Sequence, residues 1–299
     1  MKPVKSVIPR DVSDAGAVLM SGRELARGLR TELRADVAAL QREHRSPGAL
    51  LILLVGGRQD SILYAQNLVR WFTSIGLECR LQTLPEDAPI QAVQATIVGA
   101  SHDPAVAGIL VQMPLPTHLI YHDVFAAMLP VKDVEGLHPE NIGLLASGMP
   151  RFVPSTPLAG MALLDANGVA LEGKHVAILG RSNVVGKPLA QLMLARNATV
   201  TLLHSRSRDI AGFVRSADVV AAAAGVTELV TGAMIKPGAI VLDFGINVVD
   251  DAIVGDVQFE TVRQVASMIT PVPGGIGPLT NLMLARNLLT AADLQRGVS

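Results

Sequence analysis

Glycine and serine residues at fixed spacing in the segment VAILGRSNVVGKPLA indicate a phosphate-binding turn. The segment is typical of a strand, a tight turn and a helix, with Gly180 opening the turn, Ser182 in its middle and Gly186 beyond it. Such a turn directs backbone N–H groups and a helix N-terminus at a phosphate. An ordinary strand-to-helix turn of an α/β domain has the same pattern, so this segment alone leaves both interpretations open.

The end of the next predicted strand favours NADP over NAD. NAD enzymes tend to place an acidic residue about 20 residues past the turn, where it binds the ribose hydroxyls. Here that region reads HSRSR, and Ser205 and Arg206 offer a hydroxyl and a guanidinium group. These groups suit a ribose 2′-phosphate, and Arg181 in the turn is a third candidate. A solvated basic loop is the alternative interpretation.

A second set of candidate residues lies in the first half of the sequence. In the predicted helix that contains SILYAQNLVRWF, Tyr64 and Leu68 are one turn apart and share a face. GILVQMPLP places Gln112 at the end of a buried strand, and the polar loop KDVEGLHPEN carries Glu135. Ligands bind at the carboxyl ends of strands in open α/β sheets, so these segments could share a cleft. Ordinary surface loops would fit the same pattern.

The elements that must position these residues alternate along the chain. Short apolar runs, which predict buried strands, alternate with segments of helical periodicity, and this pattern predicts parallel sheets covered on both faces. We predict strands over 50–56, 77–84, 106–113, 174–180, 198–205, 217–225 and 238–245, and helices over 61–76, 89–101, 119–129, 186–196, 208–215 and 279–291. The segment 145–157 is the expected boundary between two α/β units.

Composition excludes several classes of protein. The 299 residues are 49% hydrophobic, and 25 basic residues balance 26 acidic ones, which gives no reason to expect nucleic acid or an anionic membrane surface as a partner. The single cysteine, Cys79, excludes an intrachain disulfide and suits the cytoplasm. No apolar run reaches the roughly 18 residues of a membrane span. We expect the first fifteen or so residues to be a loosely ordered extension.

Four ordered segments carry a family resemblance. GRSNVVGKPLA, GILVQMPLP, KDVEGLHPEN and ITPVPGGIGPLT together closely resemble the bifunctional methylenetetrahydrofolate dehydrogenase/cyclohydrolase family. KPGAIVLDFGIN, VGDVQF and FVPSTP also fit, and the similarity runs from about residue 19 to the C-terminus. So many matching segments in the same order make a chance match implausible.

The resemblance implies an α/β fold with two domains. Residues 1–152, completed by a C-terminal helix over 277–299, would form the folate (substrate) domain, and residues 153–276 a Rossmann-like NADP domain with a parallel sheet. The folate would lie in the cleft between them, in a cytoplasmic homodimer. The family oxidises 5,10-methylene-tetrahydrofolate to the methenyl form and hydrolyses that to 10-formyl-tetrahydrofolate. Carried over to this sequence, the implied catalytic positions are Tyr64, Gln112 and Leu68, which stands at the family's lysine position. The implied substrate-binding residues are Tyr64, Glu135, Asp60, Pro273, Gly274 and Gly275, and the implied cofactor-binding residues are Gly180, Arg181, Ser182, Gly186, Ser205, Arg206 and Ile246.

This sequence departs from the family pattern at several positions of the site. The family keeps its main acid/base lysine where this chain has Leu68, and a pterin-binding aspartate where it has Glu135. Asp60 replaces an alanine and brings a charge to the expected substrate site. Ser155 replaces a cysteine, and Ala159 replaces a glycine.

The two half-reactions depend differently on the missing lysine. Hydride transfer to nicotinamide mainly requires the two rings to be held in contact. Hydrolysis of the methenyl bridge requires water activation and proton transfer, and positioned groups of that kind contribute roughly 10²–10⁴-fold in rate. We therefore expect an NADP-dependent dehydrogenase whose cyclohydrolase activity is weak or absent. The alternatives are a family member adapted to another folate or one-carbon reaction, and a catalytically silent folate/NADP-binding protein.

Overall fold

The computed structural model describes residues 16–43, 46–250 and 252–297. They form two compact units. The six-stranded unit comprises the described residues up to Gly28 together with Thr156–Thr280, and the three-stranded unit comprises Leu29–Ser155 together with the described residues from Asn281 onward. The expected N-terminal extension lies outside the described residues.

Strands and helices alternate along most of the chain. The strands are β1 (Val18–Leu19), β2 (Ala49–Val55), β3 (Cys79–Leu84), β4 (Val106–Val111), β5 (His175–Leu179), β6 (Thr199–Leu203), β7 (Val219–Ala222), β8 (Ile240–Asp243), β9 (Asn247–Val249), β10 (Ala252–Val254) and β11 (Met268–Ile269). The α-helices are α1 (Gly22–Arg42), α2 (Gln59–Ser74), α3 (Ile90–His102), α4 (Tyr121–Phe125), α5 (Pro139–Ala146), α6 (Ser155–Ala166), α7 (Gly186–Leu194), α8 (Ile210–Ser216), α9 (Phe259–Val262) and α10 (Gly277–Gln295). Short 3-10 helices cover Pro130–Lys132 and Gly232–Met234.

The three-stranded unit is built on a parallel sheet with strand order β3-β2-β4. The continuous apolar run of β2 is buried at every residue, as expected of a central strand with both faces covered. Parallel neighbours require crossover connections, and here α2 and α3 supply them. The C-terminal helix α10 returns to this unit, where the Asn287 amide donates to the carbonyl oxygens of Val134 (2.7 Å) and Val153 (2.9 Å).

The six-stranded unit contains a parallel sheet with strand order β1-β11-β8-β7-β5-β6. Its central strands β5, β7 and β8 carry the small and branched apolar residues of the core. Helices α7, α8 and α9 connect β5 to β6, β6 to β7 and β8 to β11, as in Rossmann-like folds, and a 3-10 helix lies between β7 and β8. The predicted α/β class with parallel sheets is confirmed.

The N-terminal segment differs from the expectation that residues 1–152 belong to one domain. Strand β1 pairs in parallel with β11, and Val18 N–H donates to Ser267 O at 2.8 Å, so this edge strand belongs to the six-stranded sheet. A strand of two residues has no alternation that a sequence pattern could detect. The chain also crosses between units after Gly28, which lies inside α1.

Other elements differ in extent from the sequence prediction. The helix expected over 119–129 covers only Tyr121–Phe125, and the expected domain boundary over 145–157 contains the start of α6. The antiparallel hairpin of β9 and β10 was not predicted. Among the described residues, no helix combines the length and the apolar character that a membrane crossing needs.

Candidate active site

Two predicted site residues lie at the carboxyl edge of the three-stranded sheet. Gln112 follows β4 directly, and its N–H donates to Leu53 O at 2.9 Å. Asp133 forms a parallel bridge with Ile109 of β4, so the chain from Asp133 to Glu135 runs beside the end of that strand. The parallel register therefore brings Gln112 and Glu135 to the same edge.

Glu135 is held by the residue that begins α6. The backbone N–H of Ser155 donates to Glu135 Oε2 at 3.0 Å, and the Ser155 hydroxyl also hydrogen-bonds the carboxylate. Burial raises the pKa of Glu135 to about 7; the hydrogen bonds from Ser155 oppose the rise, and the charge of Asp133 adds to it. Glu135 therefore changes its protonation state near neutral pH.

The loop that carries Glu135 is fixed on both sides. Asp133 is buried, and its Oδ2 accepts hydrogen bonds from His138 N–H (2.7 Å) and the Asn141 amide (2.8 Å). Gly136 has φ +63°, and a Cβ there would lie 2.8 Å from Phe152 O. Only glycine meets both conditions without strain. These contacts fix the backbone on both sides of Glu135 and so set the direction in which its side chain projects.

Helix α2 presents Tyr64 and Leu68 differently. Leu68 is 1% exposed and belongs to the buried face with Ser61, Ala65 and Phe72, whereas Tyr64 is 41% exposed. Surrounding protein atoms and the charge of Glu135 raise the pKa of Tyr64 above its usual range, even though solvent reaches part of the ring. The negative charge of Glu135 adds to this rise, and the phenol stays protonated at neutral pH.

Asp60 and Gln112 are each engaged with nearby residues. Asp60 forms an exposed ion pair with Arg58 at 2.8 Å and accepts the Ser61 N–H at 2.9 Å. The Gln112 amide donates to Met113 O at 2.9 Å. A substrate contact by either side chain stays a prediction, and for Asp60 it would compete with Arg58.

The predicted phosphate turn in the six-stranded unit requires both of its glycines. Gly180 has φ +117°, and a Cβ there would lie 2.0 Å from Ala223 O. A Cβ on Gly186, the first residue of α7, would lie 2.0 Å from Gly180 O. The Ser182 hydroxyl accepts the Val185 N–H at 3.0 Å, which shapes the turn before the helix. The backbone can thus approach a phosphate closely.

The predicted 2′-phosphate residues lie beside this turn. Strands β5 and β6 are parallel neighbours, so the turn at Arg181 and the loop at Ser205 and Arg206 leave the same sheet edge. All three side chains are exposed, and among the described residues neither guanidinium group has an acidic partner. The Arg206 N–H donates to His204 Nδ1 at 3.1 Å, which orders the loop.

Two further predicted segments belong to the six-stranded unit. Ile246 follows β8 and is 70% exposed. In the turn with Pro273, the Gly275 N–H donates to Pro271 O at 2.8 Å, and Gly22 N–H donates to Gly274 O at 2.9 Å. That Pro273, Gly274 and Gly275 share a cleft with Tyr64, Gln112 and Glu135 stays a prediction.

Sequence reasoning missed how Glu135 is held. Ser155 was noted only as a replacement, because a hydrogen bond between residues so far apart in sequence leaves no local pattern. The buried aspartates Asp243 and Asp256 were missed as well. The sequence signal for these aspartates is the glycine near each of them, since Gly245 and Gly255 permit the backbone to approach the carboxylates.

The fold and these sites together define a two-unit α/β enzyme with a dinucleotide-binding unit. The comparisons with known proteins make this more specific. Residues 20–135 match the catalytic domain of the tetrahydrofolate dehydrogenase/cyclohydrolase family, and residues 154–296 match its NAD(P)-binding domain. The chain belongs to this family, as the sequence resemblance predicted.

Relatives cover nearly the whole chain. The bifunctional protein FolD of Herpetosiphon aurantiacus is 50% identical over 278 residues, which are 93% of this chain and 97% of the relative. The crystal structure of the Campylobacter jejuni FolD methylenetetrahydrofolate dehydrogenase/cyclohydrolase has 38% identity and a TM-score of 0.89, with 93% of this chain and 99% of that one covered. The Trypanosoma brucei FolD, solved with NADP and an inhibitor, has 36% identity and a TM-score of 0.90, with 94% and 99% covered.

Proposed function

We propose that this chain oxidises 5,10-methylene-tetrahydrofolate to the 5,10-methenyl form with NADP, and that its cyclohydrolase activity is weak or lost. As a member of its family it is an enzyme of the methylenetetrahydrofolate dehydrogenase class with an NADP cofactor. The finer proposal depends on Leu68, whose apolar side chain is buried and which the family resemblance assigns to the position of the catalytic lysine.

The groups around Leu68 are poor substitutes for an amine. Tyr64 holds its proton at neutral pH because burial and Glu135 raise its pKa. Gln112 does not titrate, and Asp60 is paired with Arg58. Glu135 has a pKa of about 7 that would suit proton transfer, but its carboxylate is held by two hydrogen bonds from Ser155, and we assign it to binding of the pterin and not to the methenyl bridge. We therefore infer that these groups transfer protons to and from the methenyl bridge inefficiently.

The dehydrogenase step makes smaller demands on these residues. When bound, NADP supplies the hydride acceptor, and the substrate nitrogens stabilise the resulting cation. The protein must hold the nicotinamide ring and the substrate in contact, in the orientation that hydride transfer requires. The glycine turn at Gly180 and the exposed Arg181 and Arg206 support binding of the cofactor, and Tyr64 with Glu135 supports binding of the pterin.

Quaternary structure and location belong to the same proposal. We infer from the family resemblance that the protein is a homodimer that works in the cytoplasm on a tetrahydrofolate substrate. Light scattering coupled to size-exclusion chromatography tests the dimer directly: a mass of one chain at micromolar concentration would contradict it.

The direct test mixes the purified protein with methylene-tetrahydrofolate and NADP and follows NADPH formation. We expect turnover that depends on both substrates and that falls in an Arg206→Ala variant at low NADP concentration. Binding of both ligands without NADPH formation would identify a silent binding protein. Turnover with another folate derivative but not with methylene-tetrahydrofolate would identify an adapted relative.

A further inference from the structure

Two buried aspartates of the six-stranded unit lie side by side without a cation. Asp243 ends β8 and Asp256 follows β10; they are 4% and 0% exposed. The Asp256 N–H donates to Asp243 Oδ1 at 3.0 Å. Among the described residues, neither carboxylate has a lysine, arginine or histidine partner within ion-pair distance. Buried charge of this kind is costly unless hydrogen bonds compensate it.

Hydrogen bonds to Asp256 come from the loops after β7 and β8. Its Oδ2 accepts the N–H groups of Ala224 (2.6 Å) and Gly225 (2.8 Å), which follow β7. Its Oδ1 accepts the side-chain amide of Asn247 at 2.9 Å. One carboxylate therefore ties together two loops that leave neighbouring parallel strands.

Asp243 extends this network to a third loop. Its Oδ1 also accepts the Gly245 N–H at 2.8 Å, and its Oδ2 accepts the Val257 N–H at 3.0 Å. Its own N–H donates to Thr270 Oγ1 at 2.7 Å, directly before the turn that starts at Pro271. Because β7, β8 and β11 are adjacent in the sheet, all three loops leave one edge.

The glycines of these loops fit the carboxylates closely. A Cβ on Gly245 would lie 2.3 Å from Asp256 Oδ1, and a Cβ on Gly255 would lie 1.8 Å from Asp243 Oδ2. Gly245 and Asn247, which flank the exposed Ile246, are both tied to the pair. An apolar side chain is thus presented to solvent from a backbone that is fixed on both sides.

The position of the pair in the sheet indicates which half of the cofactor it serves. The turn at Gly180 and the loop at Arg206 follow β5 and β6, where the adenosine phosphates are expected. The loops tied to the aspartates follow β7, β8 and β11, on the other side of β5. Dinucleotides lie across the carboxyl edge of such sheets, so the nicotinamide half would meet these loops.

We propose that Asp243 and Asp256 are positioning residues for the nicotinamide half of the cofactor. Their carboxylates hold the loops after β7 and β8, and Ile246 in the second of these, in the shape that this half contacts, while the Asp243 backbone N–H joins them to Thr270 before the turn after β11. The inference rests on the proposed function only in that NADP is the ligand. It assigns a use to two buried carboxylates that the hydride-transfer chemistry itself does not need.

The test compares binding of NADP with binding of 2′,5′-ADP, which lacks the nicotinamide half. Asn247→Ala removes one hydrogen bond to Asp256 without changing the core, and Asp256→Asn keeps the shape of the side chain while removing its charge. Val248→Ala is the matched control, since Val248 is the next residue along and is 71% exposed. Calorimetric titration gives each affinity without relying on activity.

We expect Asn247→Ala and Asp256→Asn to weaken NADP binding about tenfold or more, the size of effect expected when a hydrogen bond to a charged group is lost. Binding of 2′,5′-ADP should be unchanged, and Val248→Ala should match wild type for both ligands. Equal losses for both ligands, or unchanged NADP affinity, would overturn the positioning role. If Asp256→Asn fails to fold, Asn247→Ala decides alone. Wild-type protein that binds NADP without turnover would overturn the proposed dehydrogenase but not this inference.

Discussion

Replacing Leu68 with lysine restores the family's amine at a buried position. Leu68 is 1% exposed, so the substitution forfeits much of the roughly 1.5–3 kcal/mol that burial of a leucine contributes. The lysine stem recovers part of this by packing along the same apolar surface. A net loss of about 1–2 kcal/mol corresponds to a fall in melting temperature of roughly 2–8 °C.

Asp60 and Glu135 are the two acidic residues considered as partners of the introduced amine. Burial lowers the pKa of an ammonium, while a neighbouring carboxylate raises it. Glu135 acts on Tyr64, one helical turn before Leu68, and is therefore the expected partner. Asp60 is occupied by Arg58 and its side chain is 63% exposed. The double variant Asp60→Ala/Leu68→Lys should consequently behave like Leu68→Lys alone.

The assay measures methenyl-tetrahydrofolate hydrolysis and NADPH formation on the same preparations. We expect Leu68→Lys to raise hydrolysis by about 10²-fold or more, since general acid/base groups contribute 10²–10⁴-fold, and to change NADPH formation far less. Gln66→Lys places the same charge on the exposed face of α2, and Leu68→Met keeps the apolar volume. Neither control should raise hydrolysis. A folded Leu68→Lys variant with wild-type hydrolysis would refute the reasoning.

Three further outcomes follow from the contacts at other positions. NADP should bind more tightly than NAD, and Arg206→Ala should remove most of that preference because the guanidinium group meets the 2′-phosphate; titrations that give equal affinities for wild type would contradict this. Glu135 keeps its proton up to about pH 7 in the folded chain but only to about 4.3 when unfolded. The folded state then holds more protons between these values, so the free energy of unfolding should fall as pH rises through this window, and Glu135→Gln should flatten that slope in denaturant titrations; an unchanged slope would contradict the raised pKa. Asn287→Ala leaves two buried carbonyl oxygens without their donor and should lower the free energy of unfolding by roughly 2–4 kcal/mol. Asn287→Asp keeps the shape of the side chain but has no N–H donor, so it should be destabilised as well; wild-type stability in that variant would contradict the role of the two hydrogen bonds.

Local sequence patterns predict much of the fold. The apolar run of β2 predicts a strand buried on both faces, and the spacing of Gly180 and Gly186 predicts a tight turn before a helix; both features are present. Each depends on residues adjacent in sequence, where periodicity and backbone freedom are visible. Strand β1 has two residues and pairs with β11 about 250 positions later, so no window of the sequence could reveal it.

The chemistry of the site depends more on distant contacts. The resemblance located Leu68 and Glu135 as departures, but it did not predict that Ser155 would hold the carboxylate. Nor did it predict the Asp243–Asp256 network, whose donors come from the segments after β7, β8 and β10. Such hydrogen bonds are set by the register of parallel strands, which only the folded sheet defines.

The most direct measurement of the central claim is the identity of the folate product. Wild-type protein is incubated with methylene-tetrahydrofolate and NADP, and the folates are separated while NADPH is measured. The account predicts that methenyl-tetrahydrofolate accumulates in step with NADPH and converts to 10-formyl-tetrahydrofolate at the spontaneous rate or slightly faster. Formation of 10-formyl-tetrahydrofolate in step with NADPH, well above the spontaneous rate, would show that this site hydrolyses the bridge efficiently without the lysine and would contradict it.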